Sequence, residues 1–122
     1  MADRLLIILA NTDPRDPAAL GSPFNQATSA AAMEYDVEMV LTGRAGDLAV
    51  KGAAAAIKVR KDGSKTVYDL IKEAHEAGVR FKACVPVDNA TSQELIPEVE
   101  DTVGGAYIIS EAMDEDTVIL TY

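Results

Sequence analysis

The sequence is short of the residues that build disulfides and metal sites. Its 122 residues include one cysteine, Cys84, and one histidine, His75. A single cysteine cannot form an internal disulfide, which is typical of proteins from a reducing compartment. One cysteine and one histidine are also too few for the usual zinc ligand sets, so we expect no metal site.

Basic residues are scarce as well. The sequence contains eleven Lys and Arg residues and twenty Asp and Glu residues, so its net charge at pH 7 is -9. Proteins that bind nucleic acid or anionic membranes depend on clusters of positive charge. The charge balance therefore predicts neither a nucleic-acid partner nor a membrane partner.

Long hydrophobic runs and phosphate-binding motifs are missing too. The longest N-terminal apolar run, residues 5–10, is too short to span a bilayer and lacks the cleavage pattern of a signal peptide, so we expect a cytoplasmic protein. The glycines at residues 43–46 and the pair Gly104 and Gly105 match neither G-x-x-x-x-G-K-[ST] nor G-x-G-x-x-G. We therefore expect no nucleotide cofactor, and close packing of a helix against the sheet or against another subunit would explain Gly104 and Gly105.

What the sequence does contain predicts a single α/β domain over residues 1–122. Hydrophobic residues make up 48% and charged residues 25%, as in ordinary globular proteins. Apolar runs typical of buried strands alternate with segments of helical periodicity. The predicted strands are residues 5–10, 37–41, 79–84, a short one at Val99, and 117–121. Strands and helices that alternate over short connections predict a mainly parallel sheet in a three-layer α/β/α sandwich.

Capping residues predict where the helices begin and end. Ser22 and Pro23 suit an N-cap and first helical residue, while Thr66 and Asp69 form a capping box in a helix that Gly78 ends. The predicted helices are residues 22–34, 47–51, 66–78 and 91–97, and a last one that Asp101 or Thr102 caps with Val103, Ala106, Tyr107 and Met113 facing inward.

Cys84 is predicted to end a strand, where ligand sites of parallel sheets gather. Strand alternation puts Arg80 and Lys82 on its face, with Lys82 about 7 Å away, and positive charge stabilises the reactive thiolate. Against this, free cysteine is among the most buried residue types. The residues alone leave two interpretations of Cys84, a reactive thiol and a packed hydrophobe.

The loops at the same edge of the sheet hold further candidates. Asn11, Asp13 and Asn89 are polar residues of these loops, although such residues more often form turns than contact ligands. His75 lies on the outer side of its predicted helix, so we interpret it as a surface residue rather than a base. A cysteine hydrolase or peroxidase is disfavoured because no base can be placed beside Cys84.

The sequence resembles the DsrE/DsrF-like family along nearly its whole length. The resembling segments are the opening strand with NTDPRDP, then FNQATSAAAMEYDVEMVLTG, GDLAVKGAAAAIKV, TVYDLIKEAHEAGVRFKAC and VGGAYIISEAMDEDTVILTY. The helix, glycine, strand and cysteine of the fourth segment are the most specific. The resemblance implies a five-stranded α/β/α fold and assembly into trimers or hexamers.

In members that act in sulfur trafficking, the resemblance implies a cysteine that carries sulfur as a persulfide or thiosulfonate. Here that role would fall on Cys84, with Arg80 and Lys82 stabilising the thiolate. The implied partners are sulfur-donor and sulfur-acceptor proteins or small persulfides, and no metal or organic cofactor is required. The alternative is a non-catalytic oligomeric scaffold or small-ligand-binding module in which Cys84 is structural.

Overall fold

The chain folds around one five-stranded sheet. The structure is a computed structural model that describes residues 3–60, 62–84 and 94–122. Its strands are β1 (Arg4–Leu9), β2 (Asp36–Leu41), β3 (Arg80–Ala83), β4 (Val99–Thr102) and β5 (Thr117–Thr121). They lie in the order β4-β3-β2-β1-β5, and every neighbouring pair is parallel. The predicted strands are thus all present, with β3 ending one residue before Cys84.

Three α-helices of the described residues flank the sheet, α1 (Pro17–Ala32), α2 (Val67–Ala77) and α3 (Gly105–Ala112). Val37, Met39 and Leu41 of the central strand β2 belong to the main hydrophobic core, which α1 and α2 cover. Glu38 points to the opposite face, where Tyr107 of α3 donates a hydrogen bond to it. The sheet therefore lies between two helical layers, and the α/β/α architecture is confirmed.

Helix α1 begins earlier than predicted. Its N-cap is Asp16, whose side chain accepts a hydrogen bond from the N–H of Ala18, and Pro17 takes the first helical position. Pro23 lies inside the helix and is buried. The prediction that Ser22 caps this helix was wrong because Asp16–Pro17 carries the same signal one and a half turns earlier, and core packing stabilises the helix through Pro23.

Helix α2 follows the prediction closely. The N–H of Asp69 donates to the Thr66 hydroxyl, and the N–H of Thr66 donates to the Asp69 carboxylate at 2.9 Å. The bond that the Asp69 carboxylate accepts from Thr66 N–H lowers the pKa of Asp69. Gly78 ends the helix with a left-handed φ of 115°. The capping box and the glycine stop are both confirmed.

Helix α3 begins later than predicted. Asp101 and Thr102 belong to β4, and the N–H of Val103 still donates to Ala83 O at 2.8 Å, so pairing with β3 continues past the predicted caps. The N-cap is instead Gly104, which offers no side-chain hydrogen bond. Ala106 and Met113 are exposed rather than inward, Val103 precedes the helix, and Tyr107 is half-buried.

Gly104 and Gly105 therefore lie at a helix terminus and not in a helix interior. A Cβ added at either position would have no heavy atom within 4 Å. Close helix–sheet packing inside the protomer does not explain this pair, and that part of the expectation was wrong. Packing of the pair against another subunit stays a prediction.

Two further predicted helices differ from the structure. The segment predicted over residues 47–51 is a 3-10 helix at Gly43–Ala49. Of the helix predicted over residues 91–97, residues 91–93 lie outside the described range, and Leu95 forms an isolated antiparallel bridge with Val50. Among the helices of the described ranges, none is both long and apolar enough to cross a membrane.

Candidate functional site

The ends of three adjacent strands bring Cys84 to the carboxyl edge of the sheet. In register, Leu9 of β1 lies beside Leu41 of β2, and Leu41 lies beside Ala83 of β3. Cys84 extends the pairing of β3 with β2 by one residue, since its N–H donates to Leu41 O at 2.8 Å. Cys84 is half-buried, so its exposure lies between that of an open reactive thiol and that of a packed hydrophobe, the two interpretations that the sequence allowed.

Gly43 allows the chain to turn closely over this edge. It has a left-handed φ of +59°, and a Cβ there would lie 2.7 Å from Ala10 O. No other residue type fits a position that is both left-handed and this crowded. Gly43, the second residue after β2, therefore fixes how the chain turns at this edge.

The N-terminus of α3 lies at the same edge as Cys84. The bond from Val103 N–H to Ala83 O anchors the chain beside Cys84 immediately before the helix. From there α3 runs back over the sheet, because Tyr107 reaches the middle of β2 and Glu111 pairs with Arg4 at the start of β1.

This orientation has an electrostatic consequence. The first N–H groups of a helix have no intrahelical partner and carry partial positive charge. In α3 no side chain caps them, because the N-cap is glycine. Cys84 follows β3 on the face that α3 covers. The helix end that favours negative charge therefore lies at the same edge of the sheet as Cys84.

Lys82 lies on the same face as Cys84, and its charge is partly offset. Its Nζ is 3.3 Å from Glu100 Oε2, and the side chain is only 14% exposed. The same ammonium stands 5.7 Å from the centre of the Tyr107 ring, within cation–π distance. Lys82 is thus held between β4 and α3, and it precedes Cys84 by two residues in the chain.

Arg80 is not brought to the cysteine. Its Nη2 lies 2.8 Å from Asp36 Oδ1, and its Nη1 lies 3.9 Å from Glu38 Oε1. Four residues of strand separate it from Cys84, or about 13 Å. Strand alternation correctly predicted that Arg80 and Cys84 share a face of the sheet. The Arg80 guanidinium, however, pairs with the carboxylates of Asp36 and Glu38 near the amino ends of the strands.

Glu38 is a buried carboxylate that sequence reasoning missed. Its side chain is 1% exposed, and Oε1 accepts a 2.7 Å hydrogen bond from Tyr107 Oη, while Oε2 has no partner among the described residues. Burial of the phenol and its hydrogen bond to Glu38 raise the pKa of Tyr107. The signal was available in the sequence, as the single acid inside the apolar run Val37–Leu41.

The predicted loop residues fall into two groups. Asn11 is exposed just after β1, and its N–H donates to Tyr122 O. Asp13 accepts a 3.0 Å bond from the N–H of Arg15, which lowers the pKa of Asp13. Both residues shape the turn into α1. Asn89 lies outside the described residues.

Arg44, in the 3-10 helix after β2, is a cation that sequence reasoning did not single out. It is exposed and close enough to Asp13 to contribute to the lowered pKa of that carboxyl. His75, in contrast, is exposed on α2, which covers the face opposite to Cys84. The described residues bring together no group of three or more His, Cys, Asp or Glu side chains fit to hold a metal ion.

Comparison with known protein families shows a match to the DsrE/DsrF-like family over residues 4–122. The matched range covers all five strands and Cys84. No curated protein matches the chain. Because the match spans essentially the whole sequence, the chain belongs to the DsrE/DsrF-like family.

Proposed function

We propose that this protein is a cytoplasmic sulfur carrier that holds sulfane sulfur on Cys84 as a persulfide or thiosulfonate. The observation that carries the proposal is the placement of the chain's one thiol. It stands at the carboxyl edge of a sheet of this family, beside the uncapped N-terminus of α3. Membership of a family associated with sulfur relay supports the same chemistry.

The transfer follows the logic of thiol–disulfide exchange. The Cys84 thiolate attacks the outer sulfur of a donor persulfide, RS–SH, forming a new S–S bond while the donor's S–S bond breaks. The products are Cys84–S–SH and the thiolate RS⁻, so the proton stays with the transferred sulfur and no external oxidant is needed. An acceptor thiolate then attacks the outer sulfur in the same way and releases Cys84 as a thiolate.

The surroundings of Cys84 suit an anionic sulfur. A thiolate and the terminal sulfur of a persulfide both gain from nearby partial positive charge. The first-turn N–H groups of α3 would supply part of it, and Lys82 would supply the rest to the extent that Glu100 leaves it uncompensated. Arg80 would act at a distance, by holding Asp36 and Glu38 at the other end of the strands.

The chain's single thiol determines what its partners must be. With no second cysteine, the protein cannot release its sulfur by forming an internal disulfide. The donor and the acceptor are therefore other molecules, either proteins with reactive thiols or small persulfides. We further propose that the protein works as a homo-oligomer, a trimer or a hexamer, as the family resemblance implies.

Mass spectrometry of the intact protein after incubation with polysulfide tests this proposal. The wild type should gain the mass of one or more sulfur atoms, and the gain should disappear in Cys84→Ser and after treatment with a reducing thiol. A control peptide thiol shows that the polysulfide is active. If the control is modified and the folded wild type is not, the carrier proposal is rejected.

A non-catalytic scaffold or ligand-binding module is the alternative. The observation that favours it is the pairing with carboxylates of both cations that the sequence predicted beside Cys84, Lys82 with Glu100 and Arg80 with Asp36. Under this alternative, Cys84→Ser changes the stability of the fold and leaves partner binding intact. A loss of sulfur loading and transfer in a stable Cys84→Ser protein distinguishes the carrier from the scaffold.

A further inference from the structure

The outer edge of β5 is built for hydrogen bonding and has no neighbour in the described part of the chain. β5 pairs with β1 on one side only. Tyr122 N–H donates to Ile8 O, and Asp116 O accepts from Arg4, so the even-numbered residues face β1. Because successive residues of a strand direct their backbone groups to alternate edges, three residues direct theirs outward: Thr117, Ile119 and Thr121.

The side chains of β5 do not protect this edge. Proteins usually guard a strand edge with lysine, proline, a bulge or an inward charge. The strand Thr117–Thr121 has the sequence TVILT, with no charge and no proline, and its pairing with β1 is regular over all five residues. An uncharged, regular edge on a chain of net charge -9 indicates a surface that another strand covers.

Exposed apolar side chains border the edge on both faces of the sheet. On the α3 face, Ile119 is 38% exposed, and Ile109 and Met113 of α3 and its C-cap, the helix that contacts β5, are 63% and 77% exposed. On the α1 face, Val118 lines a groove of about 380 Å³ with Met33, and both are exposed. A partner that contacted only one face of the sheet would leave the apolar side chains on the opposite face exposed to water.

From this geometry we infer that the outer edge of β5 pairs with β5 of a second copy of the chain, antiparallel and across a two-fold axis at Ile119. One operation then joins the two sheets into ten strands. It places the two α3 helices on one face and the two α1 helices on the other. Both apolar borders of one copy meet those of the second copy, so a second copy covers the whole surface.

The outward groups fix the register of this pairing. With the axis at Ile119, the two copies of Ile119 form a hydrogen-bonded pair and exchange both backbone bonds. Thr121 N–H of each copy reaches Thr117 O of the other, whereas Thr117 N–H already donates to Asp114 O at 3.2 Å in its own copy. The pairing therefore makes four bonds in all. Val118 lies opposite Leu120 of the second copy in a close pair without backbone bonds, and such aliphatic pairs stabilise sheets.

Charge favours the antiparallel direction. The turn before β5 carries three successive acids, Asp114, Glu115 and Asp116. In the antiparallel pair the two turns lie at opposite ends of the five-residue strands, about 17 Å apart. A parallel pair would bring six carboxylates together, which like-charge repulsion opposes.

This inference does not depend on the chemistry of Cys84. It does refine the proposed oligomer, because a closed hexamer with three-fold and two-fold axes can contain this contact, whereas a simple trimer has no two-fold axis. Loss of the contact and loss of sulfur loading are measured separately, so either proposal can fail alone.

Light scattering of the purified chain, coupled to size exclusion, tests the contact. The wild-type mass should be an even multiple of the protomer mass, and Ile119→Lys should halve it by placing a charge on the edge. Ala56→Lys, at an exposed position of a 3-10 helix far from β5, controls for the added charge and should keep the wild-type mass. An odd multiple for the wild type, or an unchanged mass in a folded Ile119→Lys protein, would overturn the inference.

Cysteine cross-linking in a Cys84→Ser background tests the register and does not rely on a disruptive variant. Ile119→Cys should form a disulfide-linked dimer under mild oxidation, because its Cα atoms would be about 5.5 Å apart across the axis. Thr117→Cys alone should not, since its two copies would be about 13 Å apart, whereas Thr117→Cys with Thr121→Cys should. A monomeric Ile119→Cys protein under conditions that oxidise a control dithiol would refute the pairing.

Discussion

Replacing Tyr107 by phenylalanine tests how α3 is held over the face on which Cys84 lies. The change removes one hydroxyl, which donates a 2.7 Å hydrogen bond to Oε1 of Glu38. The carboxylate is 1% exposed, and Oε2 already has no partner among the described residues. The nearest cation that remains is Nη1 of Arg80 at 3.9 Å, beyond hydrogen-bond distance.

The expected cost follows from the burial of Glu38. A hydrogen bond to a charged group contributes roughly 1.5–3 kcal/mol, and the larger part is lost when its partner stays buried. We expect Tyr107→Phe to lower the free energy of unfolding by about 2 kcal/mol at pH 7, a drop in Tm of roughly 6–10 °C for a chain of this size. Urea denaturation followed by circular dichroism measures the first quantity, and a thermal scan measures the second.

Tyr68→Phe is the matched control. Tyr68 also donates to a carboxylate, that of Glu98, at 3.0 and 3.1 Å, but neither residue is buried and water can replace the lost bond. Its cost should stay below about 1 kcal/mol. If Tyr107→Phe proves no more destabilising than Tyr68→Phe, the reasoning that Glu38 holds α3 to the sheet is refuted.

The same pair of residues predicts a pH dependence. The pKa of Tyr107 is raised above its ordinary value of 10.0 in the folded protein. Its contribution to stability is therefore complete below pH 10 and is lost as the pH rises above it, because the unfolded phenol then ionises first. Above pH 10 the stability of the wild type should fall more steeply with pH than that of Tyr107→Phe, and equal slopes would contradict this sign.

Three other predictions concern the edge and the elements that position it. Gly43→Ala should lower the free energy of unfolding by at least about 1–2 kcal/mol, because φ is +59° and Ala10 O lies 2.7 Å from the new Cβ. Gly21→Ala is the control in the same denaturation assay. Its new Cβ in the middle of α1 has nothing within 4 Å, so this change should be neutral or stabilising by about 0.5–1 kcal/mol. Glu100→Gln should speed alkylation of Cys84 at fixed pH by leaving Lys82 without its carboxylate, and an unchanged rate would show that Lys82 does not act on the thiol. Thr66→Ala should cost about 1 kcal/mol by removing the cap of α2, with a loss near zero contradicting the capping box.

Elements with local signals were predictable from the sequence. The capping box and glycine stop of α2 and the apolar runs of the strands depend on residues close in sequence, and the structure confirms them. The start of α1 was misplaced because two residue pairs, Asp16–Pro17 and Ser22–Pro23, carry the same local signal. Only the packing of the whole helix distinguishes between them.

The surroundings of Cys84 depend on distances that a sequence pattern does not contain. Alternation put Arg80 on the correct face, but the position of Asp36 on the next strand draws its guanidinium away from the thiol. Glu38 and Tyr107 are 69 residues apart, and their contact requires the path of α3 back across the sheet. The start of that helix was itself misplaced, so its N-terminus could not be assigned to the edge beside Cys84.

The rate of alkylation of Cys84 by a neutral reagent at pH 7 tests the carrier proposal most directly. It should be compared between the folded protein and the same protein unfolded in urea, with a small thiol correcting for the solvent. We predict that the folded protein reacts at least as fast as the unfolded one, since Cys84 is half-buried rather than buried and lies at the edge of the sheet where α3 begins. A folded rate many times slower than the unfolded rate would show a shielded, structural cysteine and would contradict the proposal.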